Sequence, residues 1–314
     1  MKQSIIILGS TGSIGSSTLK VLKKNKNFKV KLLSTSKNIN KVYTQAIQHN
    51  VKNIIIENKD IYKKNITKFQ KKGIKLHLGF VNFNKILNIK VDYCINSISG
   101  IDGLNPTLLS IPHTKNILIA NKESIICGWQ LISKQLIKYK TNFIPIDSEH
   151  YSIWKLLNNE DKLSIEKIIL TASGGPFLNK KVNLAKIKPE KALKHPNWKM
   201  GKKISIDSAT MMNKVFEFIE AKKIFNIKNK DLNILIHPSS YVHAIIYFKG
   251  GLIKFLAHET SMTIPISNAL NIKDIKKKFN IKKNVSKLNK MNFQIPSKKK
   301  FPVLSVLNNL PEKD

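Results

Sequence analysis

The sequence predicts an α/β protein: a doubly wound, parallel-sheet nucleotide domain followed by an α+β domain. Three observations predict it. Short apolar runs alternate with helix-like stretches through the first half of the chain. A glycine-punctuated turn, Gly9-Ser10-Thr11-Gly12-Ser13-Ile14-Gly15, follows the first of those runs and opens the first helix. Near residue 150 the alternation gives way to a different pattern that contains a Gly-Gly-Pro loop.

Taken in order, Ser4 to Leu8, Lys29 to Leu33, Asn53 to Ile56, Asp92 to Asn96, Asn116 to Ala120 and Asn142 to Ile146 are expected as strands. Between them, Ser16 to Lys24, Asn40 to His49, Leu104 to Leu109 and Ile125 to Lys138 place apolar residues on one helical face. In the second half the expectation is a strand at Lys167 to Thr171, one long helix from Ala209 to Phe225, and strands at Asn233 to Ile236 and Val242 to Phe248. Gly250 and Gly251 read as a hairpin turn into a further strand, Leu252 to Leu256. From Lys273 onward lysine dominates, and Pro296 with the Ser297 to Lys300 cluster reads as linker, leaving Phe301 to Leu310 as the start of another helix. The expected domains are 1–150, 151–272 and 273–314.

Composition narrows the function classes. A 314-residue chain with 42% hydrophobic residues can bury two cores. No apolar run approaches the ~20 residues that span a bilayer. The first strand begins almost at Met1, so no secretory leader is expected and the chain reads as cytoplasmic. A net charge of +36 suggests polyanions, yet every one of the 55 basic residues is Lys, and Asn and Ile are also abundant. These are residues of A- and T-rich codons, so the charge reads as solvated lysine faces and no nucleic-acid partner is expected. Without Arg, bidentate guanine contacts are also lost. Cys94 and Cys127 lie in apolar stretches without metal spacing and read as packing thiols.

The turn at Gly9 to Gly15 suits a dinucleotide, because glycines let backbone approach pyrophosphate at a helix start. Its G-x-x-G-x-x-G spacing also describes a plain loop, and only the strand–turn–helix context favours the nucleotide. An NAD domain presents an acid after the second strand, but this chain has Ser34-Thr35-Ser36-Lys37-Asn38. Hydroxyls and a Lys suit a 2′-phosphate, which favours NADP.

The strand ending at Ile146 runs into Asp147-Ser148-Glu149-His150, at the edge where open α/β sheets place ligands. Asp147 and Glu149 can share a hard cation such as Mg²⁺ or Mn²⁺, with Glu217 as a third donor. On spacing alone an Asp-x-Glu pair also describes a solvated loop, and Glu220, three residues past Glu217, describes either a ligand or a surface charge. Asn213 and Glu217 share a helix face, four residues apart. Lys122 ends the fifth strand at the same sheet edge, and its apolar neighbours argue for a buried approach. Ala172 to Phe177 and His195 to Gly201 bracket a segment of Gly, Pro and Trp198 that reads as a mobile lid, at about 173–202.

These strings together resemble the 1-deoxy-D-xylulose-5-phosphate reductoisomerase family. The resemblance runs through G-S-T-G-S-I-G (Gly9 to Gly15), A-N-K-E-S (Ala120 to Ser124), P-I-D-S-E-H (Pro145 to His150) and S-G-G-P-F (Ser173 to Phe177). It continues through H-P-N-W (His195 to Trp198), D-S-A-T-M-M-N-K (Asp207 to Lys214) and I-H-P (Ile236 to Pro238). It implies a Rossmann-type NADPH domain followed by an α+β catalytic and dimerisation domain. Thr11, Gly12, Ser13, Ile14, Ser36, Lys37, Asn38, Asn121, Glu123 and Gly201 would contact NADPH. Asp147, Glu149 and Glu217 would hold Mn²⁺, Mg²⁺ or Co²⁺. Ser173, Ser208, Asn213 and Lys214 would seat the phosphate of a sugar substrate, beside Glu217, with Lys122, Ser148 and His195 near the reacting atoms. The implied reaction is a metal-assisted cleavage and re-formation of a carbon–carbon bond in 1-deoxy-D-xylulose 5-phosphate. Hydride reduction of the new aldehyde then gives 2-C-methyl-D-erythritol 4-phosphate.

Two departures accompany the resemblance. Ser36 stands where the family often has Gly. The family also carries a C-terminal helical domain after a linker, and the sequence is expected to lack most of it. A homodimeric enzyme of non-mevalonate isoprenoid biosynthesis is therefore the first expectation, and an impaired remnant that still binds nucleotide is the alternative. A metal-free NADP-dependent dehydrogenase would need only the N-terminal turn.

Overall fold

The computed structural model describes residues 2–180, 187–198, 200–273 and 280–312. The chain divides into two units, residues 1–147 with 265–275, and residues 148–264 with 276–314.

In the first unit, strands β1 (Gln3–Leu8), β2 (Phe28–Thr35), β3 (Asn53–Ile56), β4 (Lys75–Leu78), β5 (Val91–Asn96), β6 (Thr114–Ile119) and β7 (Asn142–Pro145) form one sheet in the order β4-β3-β2-β1-β5-β6-β7. Every pairing is parallel. Helices α1 (Ser13–Lys23), α2 (Ile39–Gln48), α3 (Lys59–Gln70), α4 (Phe83–Ile86), α5 (Leu104–Ser110) and α6 (Lys122–Tyr139) connect them. Ile5, Ile6, Ile7 and Leu8 are all fully buried. Successive strand residues face opposite sides, so β1 is covered on both faces, as a central parallel strand must be. Strand order reverses between β1 and β5, which makes their carboxyl ends the ligand edge. The sequence expectation lacks β4, α3 and α4. β4 is four residues of Lys-Leu-His-Leu at the sheet edge, too short for its period to register.

The second unit contains α7 (Ser148–Leu156), β8 (Ile165–Ala172), α8 (Pro189–Ala192), α9 (Lys202–Ala209), α10 (Met212–Phe225), β9 (Leu232–Ile236), β10 (Val242–Phe248), β11 (Ile253–Ala257) and α12 (Ile281–Asn289), with α11 (Thr263–Ala269) at its border. Its sheet runs β11-β10-β8-β9, with β8 parallel to β9 and antiparallel to β10. Val215, Phe218, Ala221 and Phe225 of α10 pack with Ile168, Leu170 and Ile234 in one core. Each large apolar side chain contributes roughly 1.5–3 kcal/mol there, which offsets the cost of the charged side chains that the same helix buries.

Three expectations are corrected. The long helix beginning at Ala209 is two helices, broken where buried Met211 takes φ 67°, a left-handed conformation that tertiary packing imposes on a non-glycine residue. The helix expected to start at Phe301 is a 3₁₀-helix, Pro302–Asn309, and Phe301 and Leu304 are buried in the second unit's core. Cys94 is buried as expected, but Cys127 is exposed on α6. Of the expected lid, residues 181–186 and 199 lie outside the described residues, as do 274–279 and 313–314 of the expected linker.

Candidate functional site

At the carboxyl end of β1, glycine is required by space. Gly9 has φ 75°, and a Cβ on it would lie 2.9 Å from the Ser97 and Ile98 backbone. A Cβ on Gly15 would lie 2.5 Å from Ser10 Cα. The turn is tied to β2: Ser34 Oγ accepts the Gly9 N–H (2.9 Å), and the Thr11 and Thr35 hydroxyls pair at 2.7 Å. α1 then starts at Ser13 with Gly12 as N-cap, no capping side chain and no acid in its first turn. Its first N–H groups thus face outward with the positive end of the helix dipole, which suits a pyrophosphate. Gly12, Ser13, Ser36, Lys37 and Asn38 are exposed, and Thr11 and Ile14 half-buried. Asn38 also caps α2, accepting the Lys41 N–H at 3.2 Å.

Further along the same edge, Asn121 caps α6, accepting the Ser124 N–H and donating to the carbonyls of Ile98 and Gly100. The cap fixes the following residues. Glu123 is half-buried, and Lys122, 6% exposed, sets its Nζ 2.8 Å from Asp147 Oδ2 at the end of β7. The buried approach expected of Lys122 is present.

In the second unit Glu149 and Glu217 converge from residues 68 positions apart in the chain, their carboxylate oxygens within 4.8 Å of each other. Lys214 binds both: its Nζ lies 3.0 Å from Glu149 Oε1 and also contacts Glu217. Burial alone would lower the Lys214 pKa, but the two carboxylates carry it above its ordinary value. Asn213 donates to Glu217 Oε1, and Ser148 Oγ lies 2.6 Å from Glu149 Oε2. Asp147 stands two residues before Glu149. Clustered hard oxygen donors, whose charge the Lys214 ammonium balances here, suit a divalent cation, so these residues fit the expected metal.

The Ser173 loop is shaped by two left-handed glycines, Gly174 at φ 79° and Gly175 at φ 69°, and a Cβ on Gly175 would meet Ser208 O at 2.8 Å. That contact sets the Ser173 loop against α9. Ser173 Oγ lies 2.9 Å from His195 Nε2 and accepts the Gly175 N–H. His195 Nδ1 accepts the backbone N–H groups of Asn197 (3.1 Å) and Trp198 (3.0 Å). Burial holds the His195 pKa below its usual value. Gly201 is exposed at the N-cap of α9 with nothing close to it.

Sequence reasoning missed several neighbours. Glu220, open in the sequence between a ligand and a surface charge, is 1% exposed and lies 3.5 Å from the equally buried His150 Nδ1. His150 Nε2 in turn meets the Glu217 carbonyl at 2.9 Å, so the pair positions α10. Asn197 donates to Pro238 O (2.6 Å) and Ser240 Oγ (2.9 Å), anchoring the H-P-N-W loop on I-H-P. The signals were present: Glu217 and Glu220 share a helix face, and His150 directly follows Glu149.

Two family models match the chain. The model for 1-deoxy-D-xylulose 5-phosphate reductoisomerase covers residues 5–128, and that for the C-terminal domain of the same enzyme covers residues 143–225. The chain is 52% identical to the enzyme of that name from Pelagibacter ubique, across 99% of this chain and 81% of that protein. It is 43% identical to the one from Wolbachia pipientis wMel, across 97% and 78%. Among solved structures it resembles the Zymomonas mobilis reductoisomerase in complex with NADPH, with a TM-score of 0.86 and 30% identity over 98% of this chain and 81% of that one. A reductoisomerase crystallised with NADPH, fosmidomycin and magnesium gives a TM-score of 0.86 at 32% identity, over 98% and 79%.

Proposed function

This chain belongs to the 1-deoxy-D-xylulose 5-phosphate reductoisomerase family, and we propose how its residues carry out that NADPH- and divalent-metal-dependent conversion. The observation that carries the reading is the meeting of half-buried Glu149 with buried Lys214 and Glu217. Asp147, Glu149 and Glu217 hold the cation. Thr11 to Ile14, Ser36 to Asn38, Asn121, Glu123 and Gly201 hold NADPH. Ser173, Ser208, Asn213 and Lys214 seat the substrate phosphate. When bound, the metal supplies Lewis-acid polarisation of substrate oxygens and NADPH supplies hydride.

The chain's own groups prepare that chemistry. His195 Nδ1 accepts two backbone N–H groups, so the imidazole proton sits on Nε2 and is donated to Ser173 Oγ. Ser173 already accepts from Gly175, which leaves its hydroxyl hydrogen directed to a phosphate oxygen. Lys122, held 2.8 Å from Asp147, brings an ammonium to the reacting oxygens. The segment carrying Trp198 excludes water.

The reading extends to the isoprenoid pathway, to Mn²⁺ as well as Mg²⁺, to a cytoplasmic location and to a homodimer. Supporting the last, β11 forms an edge of its sheet and exposes Ile253 and Phe255. Among the described residues no helix is long and apolar enough to cross a membrane. The nucleotide-binding remnant is the weaker reading, because every donor named for metal and phosphate is present.

The test is NADPH oxidation with 1-deoxy-D-xylulose 5-phosphate and Mg²⁺. Turnover is expected, abolished by EDTA and by Glu217→Gln, while NADPH binding followed by nicotinamide fluorescence survives both. A folded wild-type chain that leaves NADPH unoxidised sinks the reading.

A further inference from the structure

The segment after β2 offers two lysines to a cofactor, and the structure distinguishes them. Lys37 is exposed in the connection itself. Lys41 lies one turn into α2, and its Nζ donates to the carbonyl of Thr11, 2.7 Å away, in the middle of the dinucleotide turn. Four residues on, and so on the same helix face, Gln45 grips the neighbouring residue: its amide donates to Ser10 O at 2.9 Å and its Oε1 accepts from Ser10 Oγ at 2.8 Å. Gln45 is buried and Lys41 exposed. The face of α2 is therefore fixed against the turn by a buried neutral residue, and the residue nearer the β2 end carries a charge to the rim.

That rim is where a dinucleotide domain presents its ribose-reading group, and Ser34 to Asn38 contains no carboxylate. Thr35 Oγ1, at the end of β2, is already engaged with Thr11 Oγ1 at 2.7 Å. Thr11 O and Thr11 Oγ1 thus connect the Lys41 ammonium to the last residue of β2.

We propose that Lys41 is a cofactor-selectivity residue: its ammonium, anchored on Thr11, supplies the fixed positive charge that recognises the 2′-phosphate of NADPH over the bare ribose of NADH. The inference rests on the NADPH reading above and adds to it a residue outside the motif. A lysine that only stapled α2 to the turn would support both cofactors equally, whereas a charge reading the 2′-phosphate supports one. A single charge-assisted contact at an exposed rim corresponds to roughly a tenfold affinity change.

The experiment measures dissociation constants for NADPH and NADH by nicotinamide fluorescence in the wild-type chain, Lys41→Gln and Lys41→Arg. Lys41→Gln is expected to weaken NADPH about tenfold and to leave NADH within about twofold. Lys41→Arg is expected to recover most of the NADPH affinity. Equal losses for the two cofactors, or no loss for either, overturn the selectivity role and leave the NADPH reading standing. A wild-type chain that binds neither cofactor, or both alike, overturns the NADPH reading and the inference with it.

Discussion

The dinucleotide turn and the carboxylate–lysine cluster offer charged ligands opposite surroundings. From Gly9 to Gly15 no side chain is charged, and the work falls to backbone N–H groups placed by glycines. In the cluster, Lys214 and Glu217 are 4% and 2% exposed, and what is presented is ionised side chains taken out of water. A neutral cradle at a helix start can be hydrated when empty. Buried charges hold only while each faces an opposite one, because desolvating an ion costs several kcal/mol. The turn is specified by shape and the cluster by charge balance.

The largest effect should come from upsetting that balance. Lys214→Met keeps the length of the side chain and removes the cation that both Glu149 and Glu217 contact. The expected loss is about 3–5 kcal/mol, read as a lower denaturant midpoint. Added Mg²⁺ should recover part of it, since a divalent cation offsets the same carboxylates. An unchanged midpoint would mean that water reaches the cluster and that the contrast is wrong. The turn should answer to volume instead. Gly15→Ala sets a methyl 2.5 Å from Ser10 Cα and 2.6 Å from Gly9 O. It should cost about 1–3 kcal/mol and weaken NADPH with NADH alike. At Gly201, where a Cβ meets nothing within 4 Å, the same substitution should stay within ~0.5 kcal/mol.

The same contrast explains what the sequence could disclose. The turn is local: strand, glycines and helix lie within thirteen residues of Gln3, and the expected strands agree with those observed to within a few positions. The parallel sheet was legible because β1 is apolar without alternation over Ile5 to Leu8, as two-sided burial requires. The cluster is not local. Sheet-edge position already offered Asp147 and Glu149 as cation donors, with Glu217 as a third, but an Asp-x-Glu pair by itself has no fixed surroundings, and only the family motifs favoured a donor set over a solvated loop. Glu220 and His150 stayed hidden because their mutual burial depends on how α7 meets α10. The break at Met211 stayed hidden for a related reason. Met211 and Met212 are both good helix formers, and packing alone selects the left-handed residue. Phe301 and Leu304 follow a lysine-rich stretch whose composition masks the core they fill.

A further small effect comes from the counterpart of the buried cluster, an ion pair left in water. At the amino-terminal side of the first sheet, Asp92 accepts from Lys115 Nζ (2.8 Å) and from both the N–H and the hydroxyl of Ser4 (2.8 Å each). The Lys115 hydrogen bond, then that of the Ser4 N–H, holds its pKa down at about 2, against 3.8 ordinarily. A carboxylate whose folded pKa is depressed adds stability that is complete above its unfolded pKa and is lost as pH falls through the folded value. The loss should therefore fall between about pH 4 and pH 2. Lys115 is 62% exposed, so screening by solvent limits the contribution to about 1 kcal/mol or less. Asp92→Asn should lower stability slightly at neutral pH, and the gap to wild type should close on acidification through that window. A gap that persists at about pH 2 would assign the effect to the neutral hydrogen bonds with Ser4 rather than to charge. Lysine–carboxylate pairs differ severalfold in worth between these two places because one of them has been taken out of water.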